Sequence, residues 1–277
     1  MPPVPAPRGR AGAPGRARSD RDGRDPRVAD GGSDGAHRTP GRGSREAVTS
    51  FQKNYRDERF VEGYTRQGPP AFMPGHAGVL QMISVLLRER VVEDAHLLVV
   101  GAGGGLDTRA IARAEPGFRF TGVDPAPQML ELAREVLGPE LLPRIDLIEG
   151  TVDDAPDGPF DGATCVLVLG LLPDDGTKAA TLRGVQQRLK PGAPFVLVDQ
   201  CLDREAPDFE RKLDRYAAYA RASGVDEEIV GIAREQLRTN EGLATAERDE
   251  ALLAEAGFRD VEVFYVGMAW RGWVASA

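Results

Sequence analysis

Apolar positions in this chain fall into short runs divided by polar, glycine- or proline-bearing breaks, and from residue 77 onward two periodicities alternate. Over 77–90, Val79, Leu80, Met82, Ile83, Leu86 and Leu87 share one helical stripe behind the breaker Met73-Pro74-Gly75. Residues 96–100 form an apolar run of the buried-strand kind, followed by glycines and a helical pattern over 106–114. The alternation continues with strand 118–123, helix 127–137, strands 144–149 and 162–169, helix 177–189 and strand 194–199. Short apolar strands alternating with helices predict parallel pairing, right-handed crossovers and helices on both faces of one sheet. After Gln200 the rhythm breaks. Residues 207–238, rich in Ala, Glu, Arg and Leu, predict two helices split at Ser223-Gly224, a helical insertion after strand five. A helix over 246–256 ends at Gly257, and two strands, 261–266 and 269–274, turn near Gly267. The expected fold is α/β: a doubly wound, mostly parallel, seven-stranded sheet.

Composition divides the chain. Residues 1–47 carry ten Arg, nine Gly, seven Pro and no aromatic residue, and cannot bury enough apolar surface to offset their ordering entropy. They are expected to be a disordered tail, or a stretch ahead of a natural start near Val48, with a single domain over 48–277. An RNA-binding arm would need interleaved aromatics, which are absent. The tail is net +4 and the remainder net −12 within a total of −8, so a phosphate backbone is a disfavoured partner. No apolar run reaches the ~18 residues that span a bilayer, and no signal-type segment stands at the N-terminus, so a cytoplasmic location with no membrane partner is expected. Cys165 and Cys201 sit in or beside apolar runs and read as buried thiols, with a disulfide or a nucleophile as the alternatives.

Candidate chemistry gathers at the strand ends. Leu97-Leu98-Val99-Val100 runs into Gly101-Ala102-Gly103-Gly104-Gly105, a loop whose glycines let backbone approach a ligand and whose helix offers unpaired N–H groups. A dinucleotide fingerprint would place its third small residue at 106, which is Leu106; the spacing present is Gly-x-Gly-x-Gly. Asp124 ends the second strand, 23 positions after Gly101, where a carboxylate can accept both hydroxyls of a ribose or cap the helix beginning at Pro127. Ile148-Glu149-Gly150-Thr151-Val152-Asp153-Asp154 follows strand three, Pro159-Phe160-Asp161 leads to Val166 and Leu167, and Leu189-Lys190-Pro191-Gly192 precedes strand five.

Together these motifs resemble the class I S-adenosylmethionine-dependent methyltransferases over about residues 57–275. The resemblance implies S-adenosylmethionine as cofactor, an antiparallel last strand, and a small-molecule methyl acceptor. It implies that Gly101, Ala102, Gly103 and Gly105 flank the methionine portion, that Asp124 with Pro125 holds the ribose, that Thr151 and Val152 meet the adenine, and that Val166 floors the cleft. Two positions depart from the family: Val99 stands where an acid usually binds the methionine amino group, and Thr151 where Asp often meets the adenine, with Asp153 or Asp154 as substitutes.

Asp57-Glu58-Arg59-Phe60-Val61-Glu62, Phe72-Met73-Pro74-Gly75-His76 and Tyr219-Ala220-Arg221-Ala222-Ser223-Gly224 resemble the carboxy-S-adenosylmethionine synthase branch. That likeness implies that Arg221 pairs with a cofactor carboxylate, reaching across a homodimer, and that His76, where the branch has tyrosine, lies near the methionine end. Methyl transfer needs little more than positioning and exclusion of water; if a base exists, His76 or an acid near the mouth of the cleft is the candidate catalytic residue. Arg221 as a surface residue and His76 as an ordinary helix-start residue are the plainer readings. Tyr216 and Tyr219, three apart on one helical face, either line an acceptor pocket or pack. Three functions stay open: a small-molecule methyltransferase with 207–238 as its lid or dimer arm, a carboxy-S-adenosylmethionine synthase-like enzyme, and a non-catalytic S-adenosylmethionine-binding protein. A nicotinamide-dependent oxidoreductase is the outside alternative.

Overall fold

A computed structural model describes residues 58–277. The tail expected over 1–47, and residues 48–57, lie outside the described residues. Helices α1 (Glu58–Gln67), α2 (Pro69–Phe72) and α3 (His76–Arg88) lead in. They are followed by β1 (His96–Val100), α4 (Leu106–Ala114), β2 (Arg119–Asp124), α5 (Pro127–Leu141), β3 (Ile145–Glu149), β4 (Gly162–Val166), α6 (Thr177–Gln187) and β5 (Pro194–Gln200). The insertion forms α7 (Phe209–Ala222) and α8 (Glu227–Thr239); α9 (Ala246–Glu255), β6 (Arg259–Gly267) and β7 (Trp270–Ser276) close the chain. The seven strands lie in the order β3-β2-β1-β4-β5-β7-β6, parallel from β3 to β5, with β7 antiparallel to both its neighbours. The order reverses between β1 and β4, so the crevice beyond their carboxyl ends is where such a sheet takes a ligand.

Period-two alternation sorts each central strand between two cores. Leu98, Val100, Phe195 and Leu197 face one layer with Leu182 and Val185 of α6 and Leu252 and Leu253 of α9. Leu97, Val99, Val196 and Val198 face the other, with Ile83 and Leu87 of α3 and Ile111 of α4. By the same parity Asp199 continues the first face and Gln200 the second. Among the described residues no single helix is long and apolar enough to cross a membrane.

Two boundaries depart from the sequence pattern by more than two residues. β4 stops at Val166 rather than 169 because Leu167 takes a left-handed turn, φ 60°, into a short 3₁₀ turn at Leu169–Leu171. The helix expected over 127–137 breaks at Gly138, with φ 66° and ψ 173°, and Pro139 restarts a last turn to Leu141. Helices α1 and α2 precede the first element that the sequence pattern predicted. Cys165 is buried, Cys201 half-buried, and neither is bridged.

Arg144, just before β3, fastens the carboxyl end of α4. Its guanidinium donates to the carbonyls of Ala112 at 2.8 Å, Phe118 at 2.6 Å and Glu115 at 3.3 Å. A cation on a helix's last carbonyls satisfies orphan acceptors and complements the dipole. Arg144→Ala should therefore destabilise the domain by about 2–3 kcal/mol, the scale of charge-assisted hydrogen bonds lost with their acceptors left dry. Urea unfolding of the two proteins checks this, and an unchanged midpoint would contradict it.

Candidate functional site

The first-strand loop and Asp124 meet as the motif spacing anticipates. The N–H groups of Gly101 and Ala102 both donate to the carbonyl of Val123, at 2.8 and 3.0 Å, folding the loop back over the tip of β2. Gly103 N–H donates to Asp124 Oδ2 at 3.0 Å, and Ala126 N–H to Oδ1 at 2.9 Å. A Cβ at residue 103 would sit 2.5 Å from that same carboxylate oxygen, so the bond requires glycine. Burial pushes the Asp124 carboxyl above its ordinary range, and the two N–H donors pull it back. The carboxylate keeps further lone pairs for a ligand.

Gly105 serves a different purpose. With φ 65°, it caps α4, and a Cβ there would lie 3.1–3.3 Å from the backbone and side chain of Ala133 on α5. The third glycine therefore lets two helices close on each other and does not line the cleft. At Gly104 the ring of Tyr64 occupies the space a side chain would need, which lays α1 across the loop.

A cavity of about 150 Å³ lies against these groups. Of the residues the resemblance assigned to the cofactor, Gly101, Gly103, Asp124, Pro125, Thr151, Val152 and Val166 line it. Ala102 and Gly105 do not: Ala102 is buried beneath the loop, packed on Gly122. Thr151 holds a 3₁₀ turn, where its N–H donates to Asp154 Oδ2 at 2.8 Å while its own hydroxyl accepts from Asp153 N–H at 3.4 Å. Neither Asp153 nor Asp154 lines the cavity, so the expected substitution for an adenine-binding acid is not met there. Val99 is fully interior, between Gly122 and Thr164 on the neighbouring strands. The acid nearest in sequence beyond the loop is Asp107, in the first turn of α4; it too is buried, and desolvation pushes its carboxyl up to about 6.

His76 begins α3 and lines neither cavity. It is nearly sealed, and burial alone pushes its imidazole down to about 4, leaving it neutral through the physiological range. Arg221 is exposed near the end of α7 and grips Glu227 with two bonds of 2.6 Å, away from both cavities. Tyr216 lines the second cavity and tilts against Phe72, ring centres 5.1 Å apart; Tyr219 lines neither cavity.

That second cavity, of about 580 Å³, shares Tyr64, Leu167 and Leu171 with the first. It runs between the tip of β5 and helices α1, α2, α7 and α8. Phe72, Tyr216, Ile229, Ile232, Leu243 and Trp270 make most of its wall, and Asp199 and Gln200 reach it from β5. Asp199 and Tyr64 escaped the motif reading. The signal for Asp199 was a lone carboxylate ending the otherwise apolar run Pro194-Phe195-Val196-Leu197-Val198; Tyr64 gave none, because its place depends on how α1 crosses the loop. Among the described residues, the walls of the two cavities contain no Lys, Arg or His.

A family model described as a methyltransferase domain matches residues 98–195. A carboxy-S-adenosyl-L-methionine synthase of Chromohalobacter salexigens is 28% identical over 206 residues, 73% of this chain and 76% of that protein. A 2-methyl-6-phytyl-1,4-hydroquinone methyltransferase of Synechocystis is 30% identical over 156 residues, covering 52% of this chain and 48% of its own. Among solved structures, an O-methyltransferase family protein of Burkholderia thailandensis superposes with a TM-score of 0.59 at 16% identity, covering 83% of this chain. The chain spans 63% of that protein's length.

Asp107 makes the pH dependence of stability testable. Its folded value of about 6 lies above the ~3.9 of an unfolded aspartate, so between those values the folded state holds a proton the unfolded chain has lost. The group's contribution is fully present below about pH 4 and is lost as pH rises through 6. Asp107→Asn removes that loss, and the variant should gain about 2–3 kcal/mol on the parent between pH 4 and pH 7. Parallel unfolding curves at the two pH values give the measurement; a difference that stays constant would refute the assignment.

Proposed function

We propose that this chain, whose residues 98–195 match a methyltransferase domain, is a class I S-adenosylmethionine-dependent methyltransferase in which S-adenosylmethionine occupies the first cavity and a small-molecule acceptor the second. The first cavity's donor set suits the cofactor. A buried carboxylate, Asp124, is available to a ribose; Val152, Val166 and Leu172 give an apolar slot for a purine; and the glycines at 101 and 103, whose N–H groups are already held by Val123 and Asp124, let backbone come close to the methionine end. Without an acid at 99, that end relies on backbone. When bound, S-adenosylmethionine would supply a methyl carbon on a positively charged sulfur, to be taken by the acceptor's lone pair with the carbon–sulfur pair left on sulfur and the acceptor's proton passed to a base of the wall. The protein's part is to align the two molecules and exclude water. Tyr64, Leu167 and Leu171 stand where the cavities adjoin, and α7 and α8 serve as the lid over the acceptor.

The observation that carries this reading is the electrostatic character of the walls. Both lack a cation among the described residues, and the second presents Asp199 and Glu228. A neutral or cationic acceptor fits; a multiply anionic one, or a cofactor bearing an extra carboxylate, meets no cationic side chain among the described residues there. The Synechocystis relative, whose name gives it a hydroquinone acceptor, supports the same direction.

A second reading, carboxylated cofactor chemistry, is favoured by the names of the relatives and by Arg221. It requires Arg221 to leave Glu227 and enter the site of a second copy. Mass spectrometry of the nucleoside extracted from purified protein separates the two: a species heavier by one carboxyl group would support the second reading and sink the first. In calorimetry, Asp124→Ala should weaken S-adenosylmethionine binding about 100-fold, the scale of two charge-assisted hydrogen bonds, while Arg221→Ala should leave it within two-fold.

A further inference from the structure

The polar floor of the second cavity carries an unmet demand. Asp199 is 3% exposed, and its Oδ2 has no partner, whereas Oδ1 accepts from Gln200 N–H at 2.7 Å. Gly170 presses against it from the 3₁₀ turn; a Cβ there would lie 2.9 Å from Oδ1. Strand parity turns Asp199 towards α6 and α9, where Lys178 and Asp249 are both buried and 4.0 Å apart. The Cys201 thiol donates to Asp249 Oδ2 at 3.4 Å and adds no charge. Two carboxyl groups thus lie in the field of one buried ammonium, which hydrogen-bonds to neither. The cluster is one positive charge short, and one carboxyl either keeps a proton or takes a hydrogen-bond donor from outside. Asp199 is the member that reaches the cavity. A second buried acceptor without a partner, Gln67 Oε1, and a buried donor without one, Gln200 Nε2, belong to residues lining the same space beside the rings of Phe72, Tyr216 and Trp270.

We propose that Asp199 binds the methyl acceptor: its Oδ2 receives a hydrogen bond from a hydroxyl or amino group on an otherwise apolar, ring-sized molecule, and takes that group's proton as it is methylated. The inference rests on the methyltransferase reading above and names the substrate class for it. Burial and the neighbouring Asp249 push the Asp199 carboxyl above its ordinary range, against the pull of Lys178, which makes it a better proton acceptor than a solvated aspartate. Glu228, on α8, is the other acid in the wall and adds to the preference against anions.

The test uses the full chain loaded with S-adenosylhomocysteine at pH 8 and four probes of one size: naphthalen-2-ol, naphthalen-2-ylmethanamine, 2-methoxynaphthalene and naphthalene-2-carboxylate. Ligand-observed NMR titration should find at least one donor-bearing probe bound ten-fold or more tightly than both the ether and the carboxylate. Asp199→Asn should erase that preference while calorimetry finds S-adenosylhomocysteine affinity within two-fold of the parent. Preference for the carboxylate, equal binding of the ether, no binding of any probe to loaded protein, or a preference that survives Asp199→Asn would each overturn the proposal. The probe ranking on the parent protein stands by itself should the variant fold poorly. Failure of S-adenosylhomocysteine to bind at all would instead overturn the underlying reading.

Discussion

The carboxylate of Asp124 is bonded at once to the loop after β1 and to the first turn leading into α5. One oxygen is engaged by a backbone N–H 21 residues away in the chain and the other by one two residues on, so two strand tips and a helix start share one anchor. That anchor sets where the glycine loop can run, and so it sets the floor on which Tyr64 lies and the width of the cleft beside Val152 and Val166. Charge-assisted bonds in a poorly solvated crevice are the strong kind, and they are directional. A sheet with the same strand order but a loop free to relax would keep its cores and lose the crevice.

The parts of the molecule that repeat were legible in the sequence. Strand and helix alternation follows from burial on two faces, and the parallel order follows from crossovers of sufficient length. The glycine loop and Asp124 were legible because close backbone approach leaves few residue choices. What escaped shares a cause: it depends on contacts between elements far apart in the chain. Gly105 looked like a ligand glycine and is a packing glycine, since nothing local announces Ala133. His76 and Arg221 were drawn to the site by likeness alone, and neither faces a cavity: one is sealed at the start of α3, and the other is satisfied by Glu227 on the surface. Asp199, conversely, had only its odd placement at the end of an apolar strand to mark it.

Charge bookkeeping across the two cavities gives them different characters from similar ingredients. In the first, the buried carboxylate of Asp124 meets backbone donors and so stays suited to binding polar hydroxyls. In the second, Asp199 lies with Asp249 in the field of a single ammonium and retains an oxygen with no donor. Backbone dipoles hold a charge without titrating, whereas two carboxyls beside one lysine take up and release protons as a coupled pair. The same residue type therefore serves as a fixed anchor at one strand tip and as a proton-accepting group at another.

The partition between the cavities depends on the end of β4. Leu167, a non-glycine residue at φ 60°, is held in that conformation by its N–H bond to Val198 O at 2.7 Å, and Val168 then lies over Gly101. Backbone strain of this kind persists only where surrounding structure over-determines it. The turn ends the strand three residues earlier than the apolar run does, and in doing so it converts what would have been continuous sheet into the wall that both cavities share through Leu167 and Leu171. Had Val166 to Leu169 continued as strand, β4 would have extended through the space in which acceptor and cofactor are proposed to meet. The run's hydrophobicity is needed for the wall, and its departure from the strand is needed for the opening, which is why the pattern of apolar residues alone predicted a longer strand than the chain forms.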